Sequence, residues 1–171
     1  MAPWIPTPPL QPPPFFADVT HVANNRLQDL TPNDWTLLSA KAHRRTFKLG
    51  EEIIREGSLG SSIFVIRQGY ASVELAGTRS RSVIATLGPD DICGDMAFLE
   101  KGRAGAAVVA KDDSVEVDEI RADDLRDLFE AFPRLAFRFY RSLALVLARR
   151  LRDTSRELAR EMTIRDHRDR D

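Results

Sequence analysis

The sequence has few of the residues that build disulfides, metal sites and catalytic centres. Its single cysteine, Cys93, cannot form an internal disulfide, so a reducing, cytoplasmic compartment is expected. The histidines His21, His43 and His167 are scattered, whereas a metal-dependent barrel enzyme needs clustered His and acidic ligands. Cys93 also lacks a nearby histidine and acid that would activate it as a nucleophile. We therefore expect no metal site, no cofactor and no enzymatic activity.

Long apolar segments are also missing. The longest uninterrupted apolar run, Leu143 to Ala148, is far shorter than the roughly 20 residues that a membrane-spanning helix needs. The N-terminus has neither the basic region nor the apolar region of a secretory signal peptide. The sequence therefore predicts a soluble protein that does not associate with membranes.

Charge is balanced overall but unevenly placed. The formal net charge is −1, with 14 Lys and Arg against 20 acids in residues 1–133 and 11 Arg against 6 acids in residues 134–171. This asymmetry indicates either a basic interaction tail or a solvated helix with interleaved charges, and we favour the helix. Arg and Asp alternate in the final residues, 163–171, a poor arrangement for holding phosphates. This tail is also too short to form a DNA-binding domain such as a helix-turn-helix, so we expect no DNA binding.

Proline is concentrated at the N-terminus, where seven of the ten prolines lie within the first 16 residues. Repeated prolines fix φ and cannot donate backbone hydrogen bonds, so residues 1–18 are predicted to form an extended polyproline II arm. The arm carries Trp4, Ile5, Phe15 and Phe16. These side chains would contact a partner protein or pack back on the same chain, and both alternatives stay open.

Between residues 44 and 119, short β-type runs alternate with turns that contain glycine or paired aspartates. Many short strands at regular spacing are typical of a closed or sandwiched antiparallel β structure. The seven predicted strands are Arg45–Leu49, Glu52–Arg55, Ser62–Arg67, Ala71–Leu75, Ser82–Leu87, Ala106–Ala110 and Ser114–Glu119.

Helical periodicity precedes and follows the strands. Thr31 can cap a first helix, with Pro32 in its first turn. A short helix is predicted over Ala122 to Ala131, and a long one from Pro133 to about Met162. Apolar residues recur three and four apart along the long helix, which predicts a homodimer seam, although a helix packed on its own domain is the alternative. The seam residues are Tyr140, Leu143, Leu147, Leu151 and Leu158.

Two stretches carry a family resemblance. The hairpin from Glu56 to Gly69 has Gly57 and Gly60 at its turn, and the stretch from Cys93 to Ala110 combines Gly-Asp with a later Arg and small residues. Both resemble the cyclic-nucleotide-binding domain family, and the second is similar to its phosphate-binding cassette. The resemblance covers about residues 44–152. It implies a mainly β fold, an antiparallel, jelly-roll-like β-roll with flanking helices, whose long C-terminal helix acts as a lid over the ligand.

The resemblance also implies a ligand, namely cAMP, cGMP or a cyclic dinucleotide. In the cassette, a glycine lets the backbone approach the ligand, the acid accepts a hydrogen bond from the ribose, and the Arg pairs with the phosphate. The implied ligand-binding residues are Gly94, Asp95, Met96, Ala97, Arg103, Ala104, Gly105, Ala106 and Ile84.

The cassette departs from the family pattern at two positions. Asp95 replaces the usual Glu, and Ala104 stands where the Arg is expected, with Arg103 one residue early. Either Arg103 reaches the phosphate through a local shift, or the pocket binds weakly, binds something else or is empty. A one-residue offset in a strand would turn the side chain to the opposite face.

The expected organisation is a Pro-rich arm (1–18), a β-roll with an N-terminal and a short second helix (19–133), a lid and dimerisation helix (134–162) and a charged tail (163–171). The expected function is that of a regulatory sensor that binds a cyclic nucleotide and signals through its C-terminal helix. The alternative is a ligand-free dimerisation module that recruits a partner protein.

Overall fold

The computed structural model describes residues 25–77 and 81–168. The predicted arm over residues 1–18 therefore lies outside the described residues. Helix α1 (Pro32–Lys41) begins where the sequence predicts, because Thr31 and Asp34 form a capping box. The Asp34 amide donates to Thr31 Oγ1 at 3.2 Å, and the Thr31 amide donates to the Asp34 carboxylate at 2.8 Å.

The strands form two four-stranded antiparallel sheets, which confirms the predicted β-roll. The strands are β1 (His43–Phe47), β2 (Glu52–Ile54), β3 (Ser62–Gln68), β4 (Ala71–Ala76), β5 (Arg81–Leu87), β6 (Ile92–Cys93), β7 (Ala107–Ala110) and β8 (Val115–Arg121). One sheet has the order β1-β8-β3-β6 and the other the order β2-β7-β4-β5, so the chain crosses between the sheets at every connection except β4 to β5. The two-residue strand β6 is not among the predicted runs.

Strand β3 separates two hydrophobic cores because successive side chains of a strand point to opposite faces. Phe64 and Ile66 lie in the interior of the roll with residues from both sheets. Ile63 and Val65 face the other way and pack beneath the helices. The roll thus has its own filled interior, and its outer face forms the base on which the helices pack.

Three further helices complete the fold: α2 (Asp95–Glu100), α3 (Ala122–Ala131) and α4 (Pro133–Arg168). Helix α4 runs six residues beyond the predicted end at Met162. Leu135, Phe139 and Leu143, each four residues apart, join the core beneath the helices, and Val146, three residues further on, is also fully buried. No helix in the described parts of the chain is long and apolar enough to cross a membrane.

The prediction that Leu143 belongs to the dimer seam is wrong. Its side chain is only 1% exposed and packs in the domain's own core, so it is not available to a second copy. A neighbouring row of the helix is exposed instead and follows the same three–four spacing. Its apolar members, all exposed except the half-buried Leu147, are Phe137, Tyr140, Ala144, Leu147, Leu151 and Leu158.

Candidate functional site

The cassette begins at Gly94, directly after β6. Gly94 has φ +83° and forms the N-cap of α2. A Cβ at this position would lie 2.7 Å from the Ser62 carbonyl oxygen and 3.4 Å from the Ile54 side chain. Only glycine therefore fits, both for its backbone conformation and for its close approach to the roll. This brings the first turn of α2, with Asp95, Met96 and Ala97, over one end of the roll.

Backbone contacts hold the cassette against the turn between β2 and β3. A Cβ at Gly60 would lie 2.3 Å from the Ala97 Cβ, so the missing side chain of Gly60 is what lets α2 pack there. The Gly60 amide donates to the Gly102 carbonyl at 2.9 Å, and the Ala104 amide donates to the Ser58 carbonyl at 2.8 Å. Both glycine-containing stretches singled out in the sequence thus form one structural unit.

Asp95 is buried in an ion pair with the long helix. Its residue exposure is 2%, and Arg150 Nη1 lies 2.9 Å and 3.2 Å from its two carboxylate oxygens. Arg150 Nε donates to Asn25 Oδ1 at 2.9 Å. A single guanidinium therefore connects α4, the cassette and the segment before α1. The sequence analysis did not identify Arg150 or Asn25.

Asp91 anchors the turn that leads into the cassette. Its carboxylate accepts hydrogen bonds from the Asn25 amide at 2.7 Å and the Gly88 amide at 2.8 Å. Burial raises the pKa of Asp91 to about 6 despite these two donors. Burial also raises the pKa of the adjacent Cys93 thiol well above its ordinary value, which leaves a neutral, unreactive side chain.

Arg103 is exposed and points to the hairpin turn. Its Nη1 donates to the Gly57 carbonyl at 2.8 Å, and its backbone forms an isolated antiparallel bridge with Leu59. Ala104 is half-buried beside it, and its carbonyl accepts from the Gly57 amide at 2.7 Å. In this conformation the arginine of the cassette is engaged by a neutral backbone acceptor and has no carboxylate partner among the described residues.

The remaining implied ligand residues lie around the same end of the fold or on the second sheet. Met96 is exposed on α2, while Gly105 and the half-buried Ala106 lead into β7. Ile84 lies on β5, where Val73 pairs with Ala85 and Glu74 with Val83, so Ile84 occupies a bulge and is also exposed. The structure thus groups the 94–97 and 103–106 stretches, with Ile84 on a separate strand.

A polar group on the inner face of the roll was not predicted. Ser62 is two residues from Phe64 on β3 and Glu119 is two residues from Val117 on β8, so their side chains share the inward face with these interior residues. Ser62 Oγ donates to Glu119 at 2.8 Å, and Arg45 donates to the other carboxylate oxygen at 3.0 Å. Burial acts to raise the pKa of Glu119, but these bonds outweigh it and the pKa is lowered. Glu119 occupies an inward-facing position in the alternation along β8, and this pattern in the sequence could have identified it.

The side-chain chemistry of the described residues includes no group of three or more His, Cys, Asp or Glu that could hold a metal ion. Of the three histidines, His43 is exposed on β1, whereas His21 lies outside the described residues. The candidate site consists of the backbone turn at Gly94, the buried carboxylate of Asp95 and the exposed guanidinium of Arg103.

Comparisons with known proteins agree with this geometry. The family model described as "Cyclic nucleotide-binding domain" matches residues 44–132. Cyclic GMP-binding protein C of Dictyostelium discoideum is 31% identical over 147 residues, covering 81% of this chain and 6% of that protein. Cyclic AMP receptor protein of Thermus thermophilus is 31% identical over 132 residues, covering 75% of this chain and 58% of that protein. The chain thus spans only part of the length of these relatives.

A solved structure gives the same result for the fold. The crystal structure of the Thermus thermophilus catabolite activator protein superposes with a TM-score of 0.66 at 28% identity. The match covers 78% of this chain and 61% of the other. The roll and its flanking helices are therefore similar in arrangement as well as in sequence.

Proposed function

This chain belongs to the cyclic nucleotide-binding domain family, and we propose that it is a non-enzymatic, cytoplasmic regulatory module that binds a cyclic nucleotide beside the cassette and signals through α4. The observation that carries the proposal is the ion pair between Asp95 of the cassette and Arg150 of α4, at 2.9 Å. Because the pair joins the expected ligand site to the long helix, a ligand that repositions the cassette also repositions the helix.

Asp95 retains the capacity to bind a ribose hydroxyl while paired with Arg150. A carboxylate offers about four lone-pair positions, and the Arg150 Nη1 approaches the two oxygens from one side. Because Asp95 is only 2% exposed, the cassette would have to move for a ribose hydroxyl to reach this carboxylate.

Arg103 supplies the phosphate contact in this proposal. Its only hydrogen-bond partner among the described residues is the Gly57 carbonyl, a neutral acceptor that a phosphate would replace with a charge-assisted contact. Removing a hydrogen bond to a charged group costs about 1.5–3 kcal/mol, which corresponds to roughly ten- to hundredfold in affinity.

Calorimetry with cAMP, cGMP and a cyclic dinucleotide tests the ligand assignment. We expect one of them to bind and Arg103→Ala to weaken that binding about ten- to hundredfold. Arg126→Ala is the matched control, because Arg126 is an exposed arginine on α3 that pairs with Asp123. Absence of binding at millimolar concentrations of all three would overturn the sensor proposal and favour a ligand-free module that recruits a partner protein.

The second part of the proposal is a homodimer through α4. It rests on the exposed apolar row from Phe137 to Leu158, whose heptad spacing suits a two-helix seam. Leu151 lies within this row and is 69% exposed in the single chain, so a partner helix would bury a large apolar side chain there.

Light scattering of purified variants tests the seam. Leu151→Glu should convert a dimer into a monomer, because it places a charge at the centre of the apolar row. Leu145→Glu is the control: Leu145 is also partly exposed but lies about 120° around α4 from Leu151, outside the apolar row. A Leu151→Glu protein that stays dimeric, or a wild-type chain that is monomeric, contradicts the seam.

A further inference from the structure

The segment before α1, residues 25–31, runs alongside the long helix. Near the start of α4, the Arg138 guanidinium donates to both Asp34 oxygens at 2.6 Å. One turn further, the Asp29 amide donates to Ser142 Oγ at 2.9 Å. Two turns beyond that, Asn25 Oδ1 accepts from Arg150. The segment therefore follows α4 in the opposite direction and reaches it at the residue that holds the cassette.

Asn25 is itself fixed by the turn that leads into the cassette. Its amide donates to Asp91 at 2.7 Å, and its carbonyl accepts from the Ile92 amide at 3.2 Å. Asn25 and Asp91 are each 4% exposed. With both backbone groups engaged, the side-chain amide of Asn25 is held in one orientation towards α4.

The Arg150 guanidinium is a rigid plane with donors at both ends. Asn25 accepts from Nε, and Asp95 accepts from Nη1. Fixing the Nε end restricts rotation of the plane, and this orients the Nη1 end towards the carboxylate. The hydrogen bonds thus run in sequence from Asp91 through Asn25 and Arg150 to Asp95.

We propose that Asn25 is a positioning residue that orients Arg150 on the cassette carboxylate, so that the segment before α1 sets how firmly α4 is coupled to the cassette. This inference deepens the proposed function and rests on it for its regulatory meaning. The geometric part needs no nucleotide, so a failure of nucleotide binding and a failure of this inference are distinguishable.

The test uses the full chain labelled with nitrogen-15. The Nε–H signal of Arg150 is identified by its loss in Arg150→Lys, and its exchange with solvent is measured together with amide exchange of α2. Asn25→Ala should accelerate both by about tenfold, because a hydrogen bond to a charged group is lost. Asn25→Asp keeps an oxygen acceptor towards Arg150 and should restore slow exchange at both places.

Asp29→Ala is the matched control. Asp29 lies in the same segment and pairs with Arg141 of the same helix at 3.2 Å, but it does not contact Arg150. It should leave the Arg150 signal and α2 exchange at wild-type values. Equal acceleration by Asp29→Ala would show a general loosening of the segment and overturn the inference.

A double mutant completes the test. Arg150→Lys keeps a positive charge for Asp95 but removes the Nε donor that Asn25 accepts, so adding Asn25→Ala should not change α2 exchange further. Additive effects of the two substitutions would overturn the inference, as would wild-type exchange rates in Asn25→Ala alone.

Discussion

Protonation of Asp91 should make the stability of this domain depend on pH in the opposite direction from the buried carboxylates of Asp34 and Asp118. The folded pKa of Asp91 is about 6, raised by burial from an ordinary value of 3.8. The folded state therefore binds a proton that the unfolded state releases between these two values. Stability from this group is fully present below the unfolded pKa and is lost as pH rises through the folded pKa.

The magnitude follows from the difference between the two pKa values. A difference of 6 − 3.8, or 2.2, corresponds to about 3 kcal/mol in full, of which about 2 kcal/mol falls between about pH 4.5 and about pH 7. The pKa of Asp34 is lowered by its bond from Arg138, and that of Asp118 is lowered because two arginines outweigh its burial. Those groups add stability as pH rises through more acidic values, so they leave the Asp91 window largely clear.

Urea unfolding across this pH range, followed by circular dichroism, measures the effect. The free energy of unfolding of the wild type should fall by about 2 kcal/mol between about pH 4.5 and about pH 7 relative to Asp91→Asn, which cannot titrate. The comparison cancels contributions from other groups. Parallel pH profiles for the two proteins would refute the reasoning, because they would show that Asp91 titrates normally in the folded state.

Two further predictions concern packing around the cassette. Gly60→Ala should lower the free energy of unfolding by about 1–3 kcal/mol, because its Cβ would overlap Ala97. Gly105→Ala is the control, since a Cβ there meets nothing within 4 Å, and equal stability of the two variants would contradict the packing. Cys93 should resist thiol reagents in the native protein and react fully in urea, because its thiol is buried and its pKa raised. Rapid stoichiometric labelling of the native protein would refute its burial.

Much of the fold could be predicted because local patterns and tertiary packing agree. The cap at Thr31 with Pro32 in the first turn, the alternation along β3 and the break before Pro133 all have their signal within a few residues. Strand β6 could not be found this way, because two residues, Ile92 and Cys93, are too few to show an alternation.

The exposed apolar row of α4 shows what helical periodicity alone cannot predict. A three–four spacing is satisfied both by a row through Leu143 and by one through Ala144, which lie about 100° apart on the helix. The sequence alone does not indicate which row the domain buries. The structure decides this, because Leu143 packs with Leu135 and Phe139 in the core beneath the helices.

The backbone geometry of the cassette has a clearer signal in the sequence than its charge contacts have. Gly94 and Gly60 are required by local geometry, which glycine spacing reveals. Arg150 is one of 11 arginines in residues 134–171, and no local pattern marks it as the partner of Asp95. The contact spans 55 residues and depends on how α4 crosses the roll. The roles of Asp95 and Arg103 towards a nucleotide stay predictions until binding is measured.

The length of α4 turns a small motion at the cassette into a large one elsewhere. Of its 36 residues, Arg150 is the last with a hydrogen bond to the cassette among the side chains that the structure describes, and the helix continues to Arg168. Those 18 further residues extend about 27 Å at 1.5 Å per residue. A tilt of about 10° at Arg150 would displace the far end by about 5 Å, so the helix can act as a lever that amplifies the state of one ion pair.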